Sequence, residues 1–147
     1  MSGHIPWNKI DLWLQEYRTI WLSTTRPDTR PHCVPVWFWW ENSKSDVYIS
    51  IHRDSVKAGN LAYQPAVILN AGNGDDTIIL EGIAHSVMDE EEMTRINESW
   101  QSKYVDPYSG ARASLTDGTV YRIEVHHIMA WEYGSVNTRT DWHFKRA

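Results

Sequence analysis

The chain has 147 residues, the length of one ordinary domain, of which 41% are hydrophobic and 22% charged. These proportions exclude a disordered chain, a collagen-like chain and a coiled coil. Mean hydropathy is −0.52, no apolar run approaches the ~20 residues of a spanning helix, and the N-terminus carries no apolar signal core, so a cytoplasmic protein without membrane attachment is expected. Lys and Arg number 14 against 19 Asp and Glu, a formal charge of −5, which does not suit a protein that tracks nucleic-acid phosphates. Cys33 is the one cysteine and can form neither an internal disulfide nor a cysteine-based zinc site by itself.

Nine Trp and seven Tyr stand against two Phe. Trp and Tyr combine a flat apolar face with a polar handle, so the excess points to a planar ligand, a wet aromatic subunit interface, or core packing.

In chain order, Ile10, Trp13, Leu14 and Tyr17 fall at i, i+3, i+4 and i+7 and predict a helix, with Pro6 before it and Asn8 as its cap. Thr19–Thr25 reads as a strand and Arg26-Pro27-Asp28-Thr29 as a turn. Pro31–Trp40 reads as one second strand, in which Pro35 implies an edge, a bulge or a gap facing a ligand. A third strand runs from Val47 to Ile51. Asp54 or Ser55 caps a short helix that ends before Pro65. Ala66–Asn70 and Thr77–Met88 are further strands around a Gly-rich hairpin loop, and Gly82 marks a bulge or a close backbone approach. Asp89 with Glu92 resembles a capping box for a helix lined by Met93, Ile96, Trp100 and Tyr104, and the 89–92 carboxylates read as solvated first-turn charge. A loop spans 105–117, two strand-like runs lie within 119–132, and 138–144 reads as a last strand. Antiparallel strands dominate and no βαβ alternation appears, so a closed antiparallel barrel with surface helices is expected, as a single domain over 1–147.

No nucleophile elbow, phosphate-binding glycine loop or dinucleotide fingerprint is present. His126 and His127 are adjacent on a strand and are expected on opposite faces, and no H-x-x-x-H or C-x-x-C occurs, so no metal site is expected. Ser50, Arg53, Ser55, Lys57 and Asn60 cluster around a strand end and a helix start. Free N–H groups there, with hydroxyls and cations, make a phosphate site or, on the plainer reading, a capped helix with solvated cations.

Trp21-Leu22-Ser23-Thr24-Thr25-Arg26-Pro27-Asp28 followed by Arg30-Pro31-His32-Cys33-Val34-Pro35-Val36-Trp37 resembles the opening hairpin of the pyridoxamine-phosphate-oxidase-like split barrels, with a closer match to their flavin/deazaflavin-dependent oxidoreductase branch. The likeness continues through 53–61, Gln64-Pro65, 79–84, Met129-Ala130-Trp131 and 140–144. The resemblance implies a mainly β, six-stranded antiparallel split barrel with peripheral helices, forming a homodimer with FMN or the deazaflavin coenzyme F-420 at each subunit interface. It places the ring along Val34, Pro35, Val36 and Trp37, and the phosphate-bearing tail among Ser50, Arg53, Ser55, Lys57 and Asn60.

The chain departs from the family pattern where Val56 and Gly59 replace Arg and a bulkier or basic residue, and where Asp28-Thr29 replaces Asp-Gly. Cys33 and Phe38 stand where true pyridoxamine-phosphate oxidases carry Arg and Lys, which argues against that reaction. The expectation is hydride transfer between the cofactor and a small organic substrate, with a non-catalytic FMN- or haem-binding module as the alternative. No acid or base is assigned. His32, Tyr104 and Arg139 are candidates for positions near the pocket, and Trp37, Trp39, Trp131 and Trp142 for its walls.

Overall fold

The computed structural model describes residues 4–132 and 138–146. Helix α1 (Trp7–Glu16) precedes strands β1 (Thr19–Thr25), β2 (Pro31–Trp37), β3 (Trp39–Glu41) and β4 (Asp46–Ile51). Helix α2 (Val56–Tyr63) leads to β5 (Ala66–Gly72) and β6 (Thr77–Ser86), helix α3 (Glu90–Lys103) to a 3-10 turn at Leu115–Asp117, and β7 (Thr119–Trp131) to β8 (Thr140–His143). The strands form one antiparallel sheet in the order β2-β1-β5-β6-β7-β4-β3, with β8 paired to β7. The sheet curls so that β2 approaches β4, giving a split barrel with helices on its surface.

Alternation along the strands fills the barrel. Ile20 and Leu22 of β1, Val67 and Leu69 of β5, Ile78 and Leu80 of β6, and Ile123, Val125, Ile128 and Ala130 of β7 meet Ile10 and Leu14 of α1 in one core. A second core lies under α3, where Ile96, Trp100 and Tyr104 pack on Tyr48, Val87, Leu115 and Val120. Among the described residues no helix is long and apolar enough to cross a membrane.

Several sequence expectations need correction. Among the described residues eight strands are present where six were expected, because two short ones, β3 and β8, join the six long strands. The expected strand Pro31–Trp40 breaks at Phe38. That residue is fully buried, its N–H donates to the Tyr104 hydroxyl at 2.8 Å, and its carbonyl accepts from Lys103 Nζ at 3.0 Å, so its backbone is bound to α3 instead of a ladder. The two runs expected within 119–132 are one strand with a register shift opposite Glu81 and Gly82. Val125 and Ile128 are buried while His126 and His127 between them are both part-exposed, so the bulge removes the opposite-face arrangement of the two histidines. Gly82 sits where an added Cβ would meet the Glu124 carbonyl oxygen at 2.6 Å, the expected close approach.

Pro35 lies on an edge strand, opposite Trp21 of β1, where its missing N–H costs no ladder bond. The cap position of α1 is Pro6, without a side-chain cap, and Asn8 lies inside the helix. Asp89 caps α3 through the Glu91 amide. Glu92 completes no capping box and is not solvated charge: it accepts from the Tyr48 hydroxyl at 2.5 Å and from Arg122 Nη1 at 2.9 Å, bridging α3 to β4 and β7. Burial and the Glu92 hydrogen bond push the Tyr48 phenol well above its usual value. Thr29 takes φ +72° in the first hairpin, the left-handed conformation a glycine adopts without strain.

Candidate functional site

A cleft of about 420 Å³ opens where the end of β2, the end of β4 and the start of α2 converge. Pro35, Val36 and Trp37 form one wall. Ser50, Ile51, His52 and Lys57 form a second, and Trp100, with the segment Ala113–Gly118, closes the far side. Trp37 is 39% exposed. Ser50 donates from Oγ to the Leu115 carbonyl at 2.6 Å, which fixes the 3-10 turn over the cleft floor. Gly118 permits this: an added Cβ would lie 2.7 Å from Ser50 Oγ and 2.8 Å from the Ile51 carbonyl oxygen.

Helix α2 presents its N-terminus beside this cleft. Ser55 is its N-cap, accepting from the Ala58 amide at 3.2 Å and donating to the His52 carbonyl at 2.6 Å. The amides of Val56 and Lys57 lie in the first turn, outside the helix's own bonding pattern. On the other side of this terminus a second concavity is lined by Arg26, Arg30, Ser55, Val56, Gly59 and Asn60. Asn60 is 2% exposed and donates to Thr24 Oγ1 at 2.9 Å, anchoring α2 to β1.

Of the residues expected to hold a cofactor, Pro35, Val36, Trp37, Ser50 and Lys57 therefore share one cleft, while Ser55 and Asn60 face its neighbour and structural hydrogen bonds occupy both. Val34 packs against the main core, and Arg53 is exposed and lines neither concavity. Sequence reading did not place His52, Trp100, Ser114, Asp117 or Gly118 at the site. Trp100 was readable only as a core position on α3, and the 113–118 segment carries no local pattern that sets it against β4.

One unmet polar group lines the same cleft and another lies on β2 outside its lining. Burial, followed by the Arg26 and Lys57 charges, pulls the His32 imidazole below its ordinary value. His32 Nδ1 and Trp100 Nε1 are buried with no hydrogen-bond partner among the described residues, and Trp100 lines the cleft itself. Such groups are costly without a partner.

Of the four tryptophans expected as walls, Trp37 alone lines this cleft. Trp142 packs edge-on to Trp7, which also meets Trp40 and Phe144, Trp39 packs on the second core, and Trp131 donates to the Gly74 carbonyl. Tyr104 stacks behind Trp37. Arg139 lies instead on the β8 side, bound to Asp141.

Solved structures similar to this chain share its split-barrel fold. A conserved hypothetical protein from Mycobacterium tuberculosis is 21% identical, with a TM-score of 0.72 over 89% of this chain and 87% of that one. An F-420 reductase is 17% identical, with a TM-score of 0.63 over 80% and 94%. A haem-binding protein from Mycobacterium smegmatis is 14% identical, with a TM-score of 0.62 over 86% of this chain and 52% of that one. No curated protein matches the sequence. The family model for pyridoxamine 5'-phosphate oxidase matches residues 7–132, a span that takes in the opening hairpin, both flanks of the cleft and all but the last strand. The chain belongs to the pyridoxamine 5'-phosphate oxidase family.

Proposed function

We propose that this chain is a cytoplasmic oxidoreductase that binds FMN or coenzyme F-420 in the cleft between β2, β4 and α2 and serves hydride transfer to or from a small organic substrate. The observation that carries this reading is the convergence of a flat, part-exposed aromatic wall with a cation at a helix N-terminus. A bound flavin or deazaflavin would supply the hydride chemistry. Lys57 and the first-turn amides of α2 suit a phosphate, and the Trp100 indole N–H is a buried donor at the cleft with no partner among the described residues. Trp37 offers a face for a planar ring. The residues present thus fit the group.

A homodimer fits this reading. Trp21 and Ile68, 46% and 42% exposed, lie on the outer face of the adjacent strands β1 and β5. Beside them an apolar concavity is lined by Ser23, Pro31, Ala66, Ile68 and Ile83. A second copy of the chain over this face would bury it and complete the cofactor site from across the interface.

A non-catalytic FMN- or haem-binding module is the second reading. It is favoured by Val56, an exposed aliphatic residue in the α2 turn where the family pattern carries a cation.

Parallel titrations of the purified protein with FMN and with coenzyme F-420, followed by tryptophan fluorescence, test the assignment. Tight binding of one cofactor, weakened at least tenfold by Lys57→Ala, supports it, and reductase turnover of the loaded protein then separates the two readings. Binding of neither cofactor refutes both cofactor assignments, and affinity unchanged in Lys57→Ala removes the phosphate site.

A further inference from the structure

The outer face of the β7–β8 pair carries two imidazoles and a carboxylate that the cofactor reading does not use. His127 and His143 are direct cross-strand partners. Asp141 lies two residues before His143 on the same strand and therefore on the same face. The alternation within β8 confirms this, because Trp142 turns inward onto Trp7 while Asp141 and His143 are exposed. Two ligand-type residues at i and i+2 on one strand, with a third directly across on the neighbour, converge on one point above a sheet.

The side chains have converged. His127 Nε2 lies 2.8 Å from Asp141 Oδ2. The two imidazole rings stack with centroids 4.4 Å apart and planes 5° from parallel. One ligand atom from each of the three residues lies within 4.8 Å of the others. Glu81 Oε2 is 3.6 Å from His127 Nδ1, the side of the ring facing away from Asp141, where a carboxylate fixes the tautomer of a ligating histidine.

We propose that His127, Asp141 and His143 bind a divalent transition-metal ion, with zinc the ion of choice. Two imidazole nitrogens and one carboxylate oxygen form a borderline-soft donor set that suits zinc and leaves a fourth tetrahedral position for water. Metal–ligand bonds of about 2.0–2.2 Å place tetrahedral donors about 3.3 Å apart, so separations of up to 4.8 Å close by at most about 1.5 Å while the His127–Asp141 pair, at 2.8 Å, opens slightly, changes that side chains on the outer face of a fixed ladder accommodate by small rotations. Arg139 holds the Asp141 carboxylate through Nε at 3.0 Å and Nη2 at 3.2 Å, so the ion competes with a guanidinium for this ligand. The site shares no residue with the cleft beside α2 and does not depend on the cofactor assignment.

Isothermal titration of tag-free, chelator-stripped, full-length protein with zinc chloride tests the proposal. The expected result is saturable uptake of one Zn2+ per chain, weakened at least tenfold in His127→Ala and in His143→Ala. His85→Ala, which alters the separate His85–Glu124 pair, is expected to leave uptake unchanged. Saturating zinc is expected to raise the melting temperature of the wild type and not of His143→Ala, whose exposed position keeps the fold intact. Arg139→Ala is expected to tighten binding. Absence of saturable binding, survival of full affinity in His143→Ala, or loss of binding in His85→Ala overturns the proposal.

Discussion

Trp37 and Tyr104 stack face to face, with ring centroids 4.4 Å apart and planes 6° from parallel. The Arg18 guanidinium lies 5.1 Å and 5.3 Å from the two centroids. The stack joins the end of an edge strand, where Trp37 walls the cleft, to the C-cap of α3. Trp37 is thus held from behind while keeping an accessible face, which is the preorganisation a planar ligand needs.

The Tyr104 hydroxyl locks that arrangement. It accepts the Phe38 amide at 2.8 Å and lies 2.7 Å from the Arg18 carbonyl and 2.9 Å from that of Phe38. Burial raises the phenol to about 12, so it remains protonated and able to donate. Tyr104→Phe keeps the ring stack but strands a buried N–H, and the expected cost is about 1–3 kcal/mol, read by urea denaturation. A loss under about 0.5 kcal/mol, within the range of ordinary surface substitutions, would mean that the hydroxyl is not the lock.

Lys103 makes the same junction sensitive to pH. Its ammonium lies 3.7 Å from the Phe38 ring centroid. Burial, followed by the Arg18 charge, lowers it from 10.5 to about 8. Between about pH 8 and 10.5 the unfolded chain holds a proton that the folded chain has released, so this group's contribution to stability rises with pH across that window. Below pH 8 both states are protonated and the cost of burying the charge is felt in full. Lys103→Met removes the dependence. The stability of the wild type relative to Lys103→Met, measured by denaturation at pH 7.5 and pH 9.5, is expected to improve at the higher pH, and a difference flat with pH would contradict the assignment.

Gly118 couples stability to the shape of the cleft. An alanine methyl there meets Ser50 Oγ, already committed to Leu115, and the backbone carbonyl of Ile51. One of these must move, and the expected cost is about 1–3 kcal/mol. Because the displaced segment is a cleft wall, Gly118→Ala is expected to weaken cofactor binding as well. Full stability together with full affinity would show that the wall adapts freely.

Periodicity made α1, β1 and β6 legible because their buried faces repeat within the element, Ile10 and Leu14 being three or four residues from their neighbours on the helix face and Ile78 and Leu80 two apart on the strand, while a cap and a following proline marked α2. The same logic failed wherever the deciding partner is remote. Phe38 looks like mid-strand, and only Tyr104 and Lys103, more than sixty residues on, end the ladder there. Glu92 looks like first-turn charge until Tyr48 and Arg122 draw it inward. Around the cleft, Ser50 and Lys57 were readable from the residues because a strand end and a capped helix start carry a local signal, whereas Val36 and Trp37 follow from the family resemblance and Pro35 is marked locally only as an edge, a bulge or a gap facing a ligand. Trp100 and the 113–118 segment reach the cleft by packing alone. The β7–β8 histidine pair was hidden by the bulge and by a partner strand that begins 13 residues later.

Val56, which lines the concavity beside the cleft, provides the most direct test of whether a phosphate sits at the start of α2. It is 54% exposed, in the first turn of α2 next to Lys57, and an added Cβ at the neighbouring Gly59 meets nothing within 4 Å, so a longer side chain has room. A charge-assisted hydrogen bond contributes about 1.5–3 kcal/mol, roughly tenfold to over a hundredfold at ~1.4 kcal/mol per decade, with the lower end expected at a site this open to solvent. Val56→Arg is therefore expected to tighten FMN binding about tenfold, with a steeper dependence on salt, while the affinity for riboflavin, which lacks the phosphate, stays unchanged. An equal gain for both ligands would place the new guanidinium on the ring instead of the tail. No gain for either would mean that the phosphate does not lie at the start of α2.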